Sequence, residues 1–384
     1  MPEPKPKPKA ALLYCATDKE VFDALASSQL HFSESTLLGM AKKRGIFYSV
    51  QTDRMQLCHD VSLLTFGFYD VAQVQAEFEK GAKGEKKTFM RINTALTLEE
   101  LKKIAETFQE EAEAQGEKVS SHNVGLRGFA VDVKYEEVDF SRTRLRQRQK
   151  REANIEFKIE GDQTVITLPS NPKARAIAEG LIGRANKERM EKFTTEEVDL
   201  SWITDFDLRT KFFQDLITKL PGFKLEDVTS VRVDFAEAQN AEGDLLDALE
   251  DQKIKAGQEF QGVVRAMALH GRSLHLSDEY KRLKEKGFFL TSVQWAGRRI
   301  ASPNEIVEFE AGFEDVKAGT GYKYGVRTWI TRRDNGEYAK NPTTIPADEK
   351  AKLSALLQQV SMSVFLDIKQ EFNAKHPPLN EAPL

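Results

Sequence analysis

Three stretches late in the chain, residues 288–295, 306–313 and 322–330, read as strands rich in apolar and aromatic side chains, and are separated only by polar or glycine-containing turns. A period of two places alternate side chains on opposite faces of a sheet. Turns this short join antiparallel neighbours, because a parallel pair needs a crossover of about a dozen residues or more. The same arrangement recurs earlier: Ile155, Phe157 and Ile159 lead through Gly161-Asp162 into residues 165–168, a hairpin signal. Strands that arrive in pairs and triples, with helical segments between them, predict an α+β fold with mainly antiparallel sheets.

The helical segments carry their own start signals. Thr17 with Glu20, and Thr97 with Glu100, have the three-residue spacing of a capping box. Ser33 is placed to cap a second helix that Gly45 ends, and Thr52 a third that carries Leu57, Val61 and Leu64. Asn171-Pro172 opens another helix. Later helices are predicted from about residue 205, across residues 242–270, over 278–286, and from about 348 to His376. The residues 80–87, rich in Lys and Gly, read as a linker. These signals predict a Pro/Lys arm over 1–10 without fixed structure, a small helical module over 11–80, and two mixed domains over 88–190 and 200–376.

Of the 384 residues 40% are hydrophobic and 30% charged, which suits a chain with real cores. The net charge of −4 excludes a general polyanion binder, so any nucleic-acid contact has to be local. Cys15 and Cys58 are too few for a disulfide framework or a zinc site, and a reducing, cytoplasmic setting is expected. The first nine residues lack the apolar core of a secretory signal, and no apolar run approaches the ~18 residues of a membrane span.

Against that acidic background one local feature stands out. Arg142, Arg144, Arg146, Arg148 and Lys150 recur at every second position, with no acid between them. On an extended strand all five share one face at about 6.6 Å intervals, a spacing that suits the phosphates of an extended single strand. The same charges also suit an edge strand protected against edge-to-edge pairing, or one paired to Glu136, Glu137 and Asp139 upstream.

A second basic feature lies in residues 33–64. A helix with Leu37, Leu38, Met40 and Ala41 is followed by Lys42-Lys43-Arg44-Gly45-Ile46, an extended stretch over 47–51, and a short helix with Leu57 and Val61. This segment resembles the helix–extension–helix nucleic-acid-binding module of the SAP and Rho N-terminal type. The resemblance implies phosphate docking at the matching positions Lys42, Lys43, Arg44 and Arg54. The extension departs from the family pattern, since it is longer and carries Phe47 and Tyr48 where small residues are favoured.

Catalytic patterns are few. Asp139 with Glu156 and Lys158 has the spacing of a Mg²⁺-dependent nuclease core, in which two carboxylates hold the metal and a lysine stands near the attacking water. Alternating Glu and Lys on the exposed face of a hairpin strand has the same spacing. There is no phosphate-binding loop of the G-x-x-x-x-G-K-[ST] kind, and no His, Cys or acid cluster has metal-ligand spacing. Trp295 and Trp329 read as packing residues.

The expectation is therefore a cytoplasmic α+β protein without a cofactor, a nucleic-acid-binding or adaptor subunit of a larger DNA- or RNA-processing assembly. Its partners would be a DNA or RNA backbone and another protein, with no membrane. A prokaryotic, antiviral defence setting is included in this reading, although no residue specifies it. The alternatives are a divergent Mg²⁺ nuclease and a scaffold that binds only proteins.

Overall fold

The computed structural model describes residues 15–79, 85–187, 189, 192–235, 266–270, 288–331 and 343–376. They form an α+β fold whose chain divides into two compact units. The Pro/Lys arm, residues 80–84, residues 242–265 and the helix expected over 278–286 lie outside the described residues.

One unit comprises Met1–Glu85, Thr97–Glu156 and Gly180–Ala185. Its first helices are α1 (Asp18–Ala26), α2 (Glu34–Lys42), α3 (Arg54–Ser62) and α4 (Phe68–Glu79). The Thr17–Glu20 capping box forms as expected, and Ser33 caps α2. The third cap is Asp53, not Thr52: its carboxylate accepts the backbone N–H groups of Met55 and Gln56. A carboxylate at this place also meets the positive end of the helix dipole.

Helix α4 was not anticipated from sequence. Its Val71, Val74 and Phe78 bury with Leu25, Phe32 and Leu37 in one apolar cluster. Asp70 holds the start of this helix by accepting from the N–H of Gly67.

The same unit contains α5 (Leu98–Ala114), opened by the Thr97–Glu100 capping box. It also contains the antiparallel hairpin of β2 (Lys118–Val124) and β3 (Gly128–Val138). A single 3₁₀ turn, Arg144–Arg146, precedes β4 (Arg148–Glu160), whose first nine residues belong to this unit.

The other unit comprises Lys86–Leu96, Phe157–Glu179 and Asn186–Leu384. In it, β1 (Lys87–Ile92) pairs antiparallel with β5 (Gln163–Pro169), from Lys87 opposite Pro169 to Ile92 opposite Thr164. Helix α6 (Pro172–Lys187) and the short β6 (Thr195–Glu196) follow β5 in sequence. The remaining elements are α7 (Phe206–Thr218), β7 (Phe223–Phe235), β8 (Ala266–His270), β9 (Phe288–Arg299), β10 (Glu305–Asp315), β11 (Thr320–Thr331) and α8 (Ala347–Lys375).

The predicted meander is present: β9, β10 and β11 pair antiparallel in sequence order, and the strand order in this unit runs β5-β1-β11-β10-β9-β7-β8. One face is closed by α7 and α8, whose Phe212, Phe213, Leu357 and Phe365 share one apolar cluster with Trp295 and Phe309 of the sheet. Trp295 is 1% exposed and stacks on Phe309, so it serves packing.

Two expectations change. Residues 266–270 were read as the end of a long helix, but they pair with β7, with Leu269 opposite Val231 and Met267 opposite Val233. Ala, Met and Leu favour helices in isolation, and the hydrogen-bonding edge of β7 overrides that preference. The chain changes unit between Glu85 and Lys86, within the expected boundary at 80–88, but each unit gathers several separate stretches of sequence instead of one. β1 belongs with β5 and β11 through pairing, while α5, next in sequence, belongs to the first unit. Among the described residues, no helix is long and apolar enough to cross a membrane.

Candidate nucleic-acid interface

The basic run does not form the five-cation face that its period suggests. Only Arg148 and Lys150 lie on a strand. Upstream, Asp139 closes a turn by accepting from the Ser141 N–H at 3.0 Å, the Ser141 hydroxyl at 2.6 Å and the Arg142 Nε at 2.7 Å. The Ser141 hydroxyl and N–H, then Arg142, hold the Asp139 carboxyl below its usual value.

The next residues form the 3₁₀ turn, and Leu145 is buried in the apolar cluster of α1–α4. That burial explains the departure from an extended backbone. A buried leucine side chain gains roughly 1.5–3 kcal/mol over an exposed one, more than the local preference of a polar run can oppose.

The arginines around Leu145 take protein partners. Arg144 pairs with Glu20 of α1. Arg146 lies with its guanidinium 4.6 Å from the centre of the Phe78 ring, and Arg148 pairs with Glu136 at 3.1 Å. Arg151 meets Glu137 at 3.0 Å, Lys134 meets Glu152 at 3.8 Å, and Asn154 donates to Asp132 at 2.7 Å. The result is a polar ladder between β3 and β4, the upstream pairing that the sequence left open as the second reading. Lys150 is exposed and has no ion pair among the described residues.

In the helical module, α2 and α3 flank residues 46–49, which are neither helix nor strand, and Gly45 follows α2 with φ +77°, a conformation that favours glycine. Lys42 and Lys43 are exposed and have no ion pair among the described residues. Arg44 and Arg54, by contrast, are engaged. Arg44 pairs with Asp70 at 3.1 Å and lies 4.4 Å from the Phe66 ring centre. Arg54 donates to the carbonyls of Phe32 at 3.2 Å and Leu25 at 2.8 Å. Leu25 lies in the last turn of α1, where carbonyls have no partner within the helix, so Arg54 serves as a cap.

The nuclease pattern is not assembled. The Asp139 N–H bonds the carbonyl of Gln147 at the start of β4, and Glu156 lies nine residues farther along that strand. At about 3.3 Å per residue the two carboxylates are roughly 30 Å apart, too far to share a metal. Lys158 pairs with Glu160 at 2.6 Å. Among the described residues, no group of three His, Cys, Asp or Glu side chains could hold a metal ion.

Sequence reasoning missed a charged cluster on the meander. Glu310 of β10 is buried and pairs with Lys86 at 2.9 Å; Arg327 of β11 reaches the same carboxylate at 4.0 Å and Gln294 of β9 at 3.4 Å. Gly325 makes room for it, since a Cβ there would meet the Glu310 Oε1 at 2.9 Å. The available signal was the strict alternation of Glu308 and Glu310 with Val307, Phe309 and Ala311.

No protein-family model matches the sequence, and no curated protein matches it.

Proposed function

We propose that the chain is a binding subunit that touches a DNA or RNA backbone through the lysines at the end of α2 and acts as an adaptor in a larger cytoplasmic assembly. What supports this reading is the division of the candidate cations. Arg44, Arg54, Arg142, Arg144, Arg146 and Arg148 are occupied by protein groups, whereas Lys42, Lys43 and Lys150 are exposed and unpaired among the described residues. Phe47, 77% exposed and close in sequence to Lys43, offers a ring on which a base can stack. The contact is thus narrower than the basic run suggests.

The test is the anisotropy of labelled single-stranded DNA and RNA 20-mers titrated with the protein over a series of salt concentrations. Two or three phosphate contacts on a single strand give a log–log slope of roughly −1.4 to −2.1. The doubly substituted Lys42→Glu, Lys43→Glu protein is expected to lose this binding. Undetectable affinity at low salt, or binding indifferent to both substitutions, overturns the reading.

A scaffold that binds proteins is the second reading, and one observation favours it. Leu30, Val50 and Tyr69 are each at least 85% exposed, and all lie in the helical module.

A further inference from the structure

Strand β2 pairs with β3 and, among the described residues, with no other strand, so its second edge is open. We propose that this edge pairs with the β2 of a second copy of the chain, antiparallel about a two-fold axis at Ser121, and that α5 packs against the α5 of that copy. The proposal does not rest on the nucleic-acid contact above.

An open edge is a row of backbone donors and acceptors ready to pair with another strand, and chains protect such edges with prolines, bulges or repeated lysines. β2 has none of these. Its sequence, Lys-Val-Ser-Ser-His-Asn-Val, carries one cation at the first position and no acid. The register with β3 runs without a shift from Lys118 opposite Lys134 to Val124 opposite Gly128. Every residue of the strand except Val119 is exposed. Centring the pair on Ser121 engages the whole strand in both copies and opposes no two like charges. It sets Lys118 against Val124, Val119 against Asn123, and Ser120 against His122. The His122 Nδ1 already lies 3.3 Å from the Asp132 carboxylate, which leaves its Nε2 for the Ser120 hydroxyl of the second copy. Leu126, 95% exposed in the turn of the hairpin, falls beside Gly116 of the second copy.

Helix α5 makes a second copy the fitting occupant. It is joined to β2 by a short turn at Gly116 and packs on β2 and β3. With the paired strands about 4.8 Å apart and each helix over its own β2–β3 pair, the two helix axes lie roughly 10 Å apart, a distance at which helices pack. The two-fold axis makes them antiparallel. Phe108 and Glu111, on one flank of α5, meet Arg184 of the same compact unit. The flank left to overhang the β2 edge carries Lys102, Glu106, Gln109 and Glu113, whose spacing puts them on one side of the helix. Lys102 and Glu106 are exposed and have no ion pair among the described residues. Counted back from the turn at about 1.5 Å per helical residue and about 3.3 Å per strand residue, the level of Ser121 falls near Thr107 and Phe108. Lys102 then meets Glu113 of the second copy, and Glu106 meets its Gln109. A cation faces a carboxylate at each end and the central acids face amides, so the flank is complementary to itself.

Sedimentation equilibrium of the full chain tests this. A monomer–dimer equilibrium with a dissociation constant below about 100 µM is expected. Ser121→Lys and Ser121→Glu each oppose like charges at the axis and are expected to weaken the dimer by at least about tenfold, while an equal mixture of the two variants recovers it. Lys102→Glu and Glu113→Lys should each weaken it as well, and the two changes combined in one chain should restore it.

A protein that stays monomeric up to about 100 µM overturns the proposal and leaves the edge to a strand of another protein. A dimer indifferent to both Ser121 substitutions, or one that the mixture does not recover, lies on another surface and overturns it too. So does a Lys102→Glu, Glu113→Lys chain that dimerises no better than either single variant. Should the Ser121 variants lose their cooperative thermal transition, the Lys102 and Glu113 set alone decides.

Discussion

The guanidinium of Arg146 lies 4.6 Å from the centre of the Phe78 ring, and Leu145 beside it is buried in the same cluster as Phe78. The most basic stretch of the chain is thus a peg that fastens the four N-terminal helices to the start of β4. Leu145→Ala is expected to cost about 2–5 kcal/mol, as truncation of a fully buried leucine does. Arg146→Ala is expected to cost less, about 0.5–2 kcal/mol for the lost contact with the ring. Urea denaturation followed by circular dichroism measures both. A Leu145→Ala protein as stable as the parent would remove the peg from this account.

Arg54 is expected to behave as a structural residue and not as a phosphate ligand. Its two hydrogen bonds reach carbonyls of Leu25 and Phe32, and charged donors to buried acceptors contribute roughly 1.5–3 kcal/mol each. Arg54→Ala should therefore lower the unfolding midpoint clearly, whereas Lys42→Ala, at an exposed position, should leave it almost unchanged. Arg54→Lys should not restore the loss, because an ammonium cannot span two acceptors as the guanidinium fork does. Equal midpoints for Arg54→Ala and the parent protein would contradict this role.

The pairing of Glu20 with Arg144 predicts a dependence on pH. Burial alone would raise the Glu20 pKa, but the Thr17 N–H, the Arg144 guanidinium and the Thr17 hydroxyl together hold it below its ordinary value of 4.5. Asp70 is also held low, first by the Gly67 N–H and then, against the opposing effect of burial, by Arg44. A carboxyl with a depressed folded pKa contributes stability that is fully present above the unfolded value. That stability is lost as pH falls through the folded value. The urea midpoint should thus hold steady in the neutral range and decline below about pH 4.5. Arg144→Met should make this decline shallower. An identical acid dependence in the two proteins would show that the pair contributes nothing to it.

The sequence and the structure agree where the determinants are local. Thr17 with Glu20 and Thr97 with Glu100 close their capping boxes within three residues, so spacing alone identifies them. The meander was legible for the same reason: Val307, Phe309 and Ala311 alternate with Glu308 and Glu310 on one strand. The basic run was misread because its shape depends on a distant contact. Arg144 and Glu20 are 124 residues apart, and nothing near residue 144 announces the apolar cluster that takes up Leu145. Residues 266–270 follow the same logic, being helical by composition and extended by pairing with β7. Of the candidate phosphate ligands, those with a carboxylate, a carbonyl or an aromatic ring nearby in space are occupied, and spatial proximity is what periodicity cannot supply.

The Lys86–Glu310 pair gives the last prediction. The Glu310 side chain is only 8% exposed, while Lys86 is about a third exposed and reaches it at 2.9 Å. Removing one member of such a pair leaves a carboxylate in a poorly solvated place, and full losses of this kind amount to about 3–5 kcal/mol. Because Lys86 retains access to water and Arg327 lies 4.0 Å from the same carboxylate, Lys86→Met is expected at or below the lower end of that range. Replacing both residues, Lys86→Met with Glu310→Met, should cost less than the sum of the single changes, since it removes the stranded charge together with its partner. Denaturation midpoints of the parent, the two single variants and the double variant form the cycle. Strict additivity would mean that the two side chains do not interact, and that Glu310 is held by Arg327 and Gln294 instead.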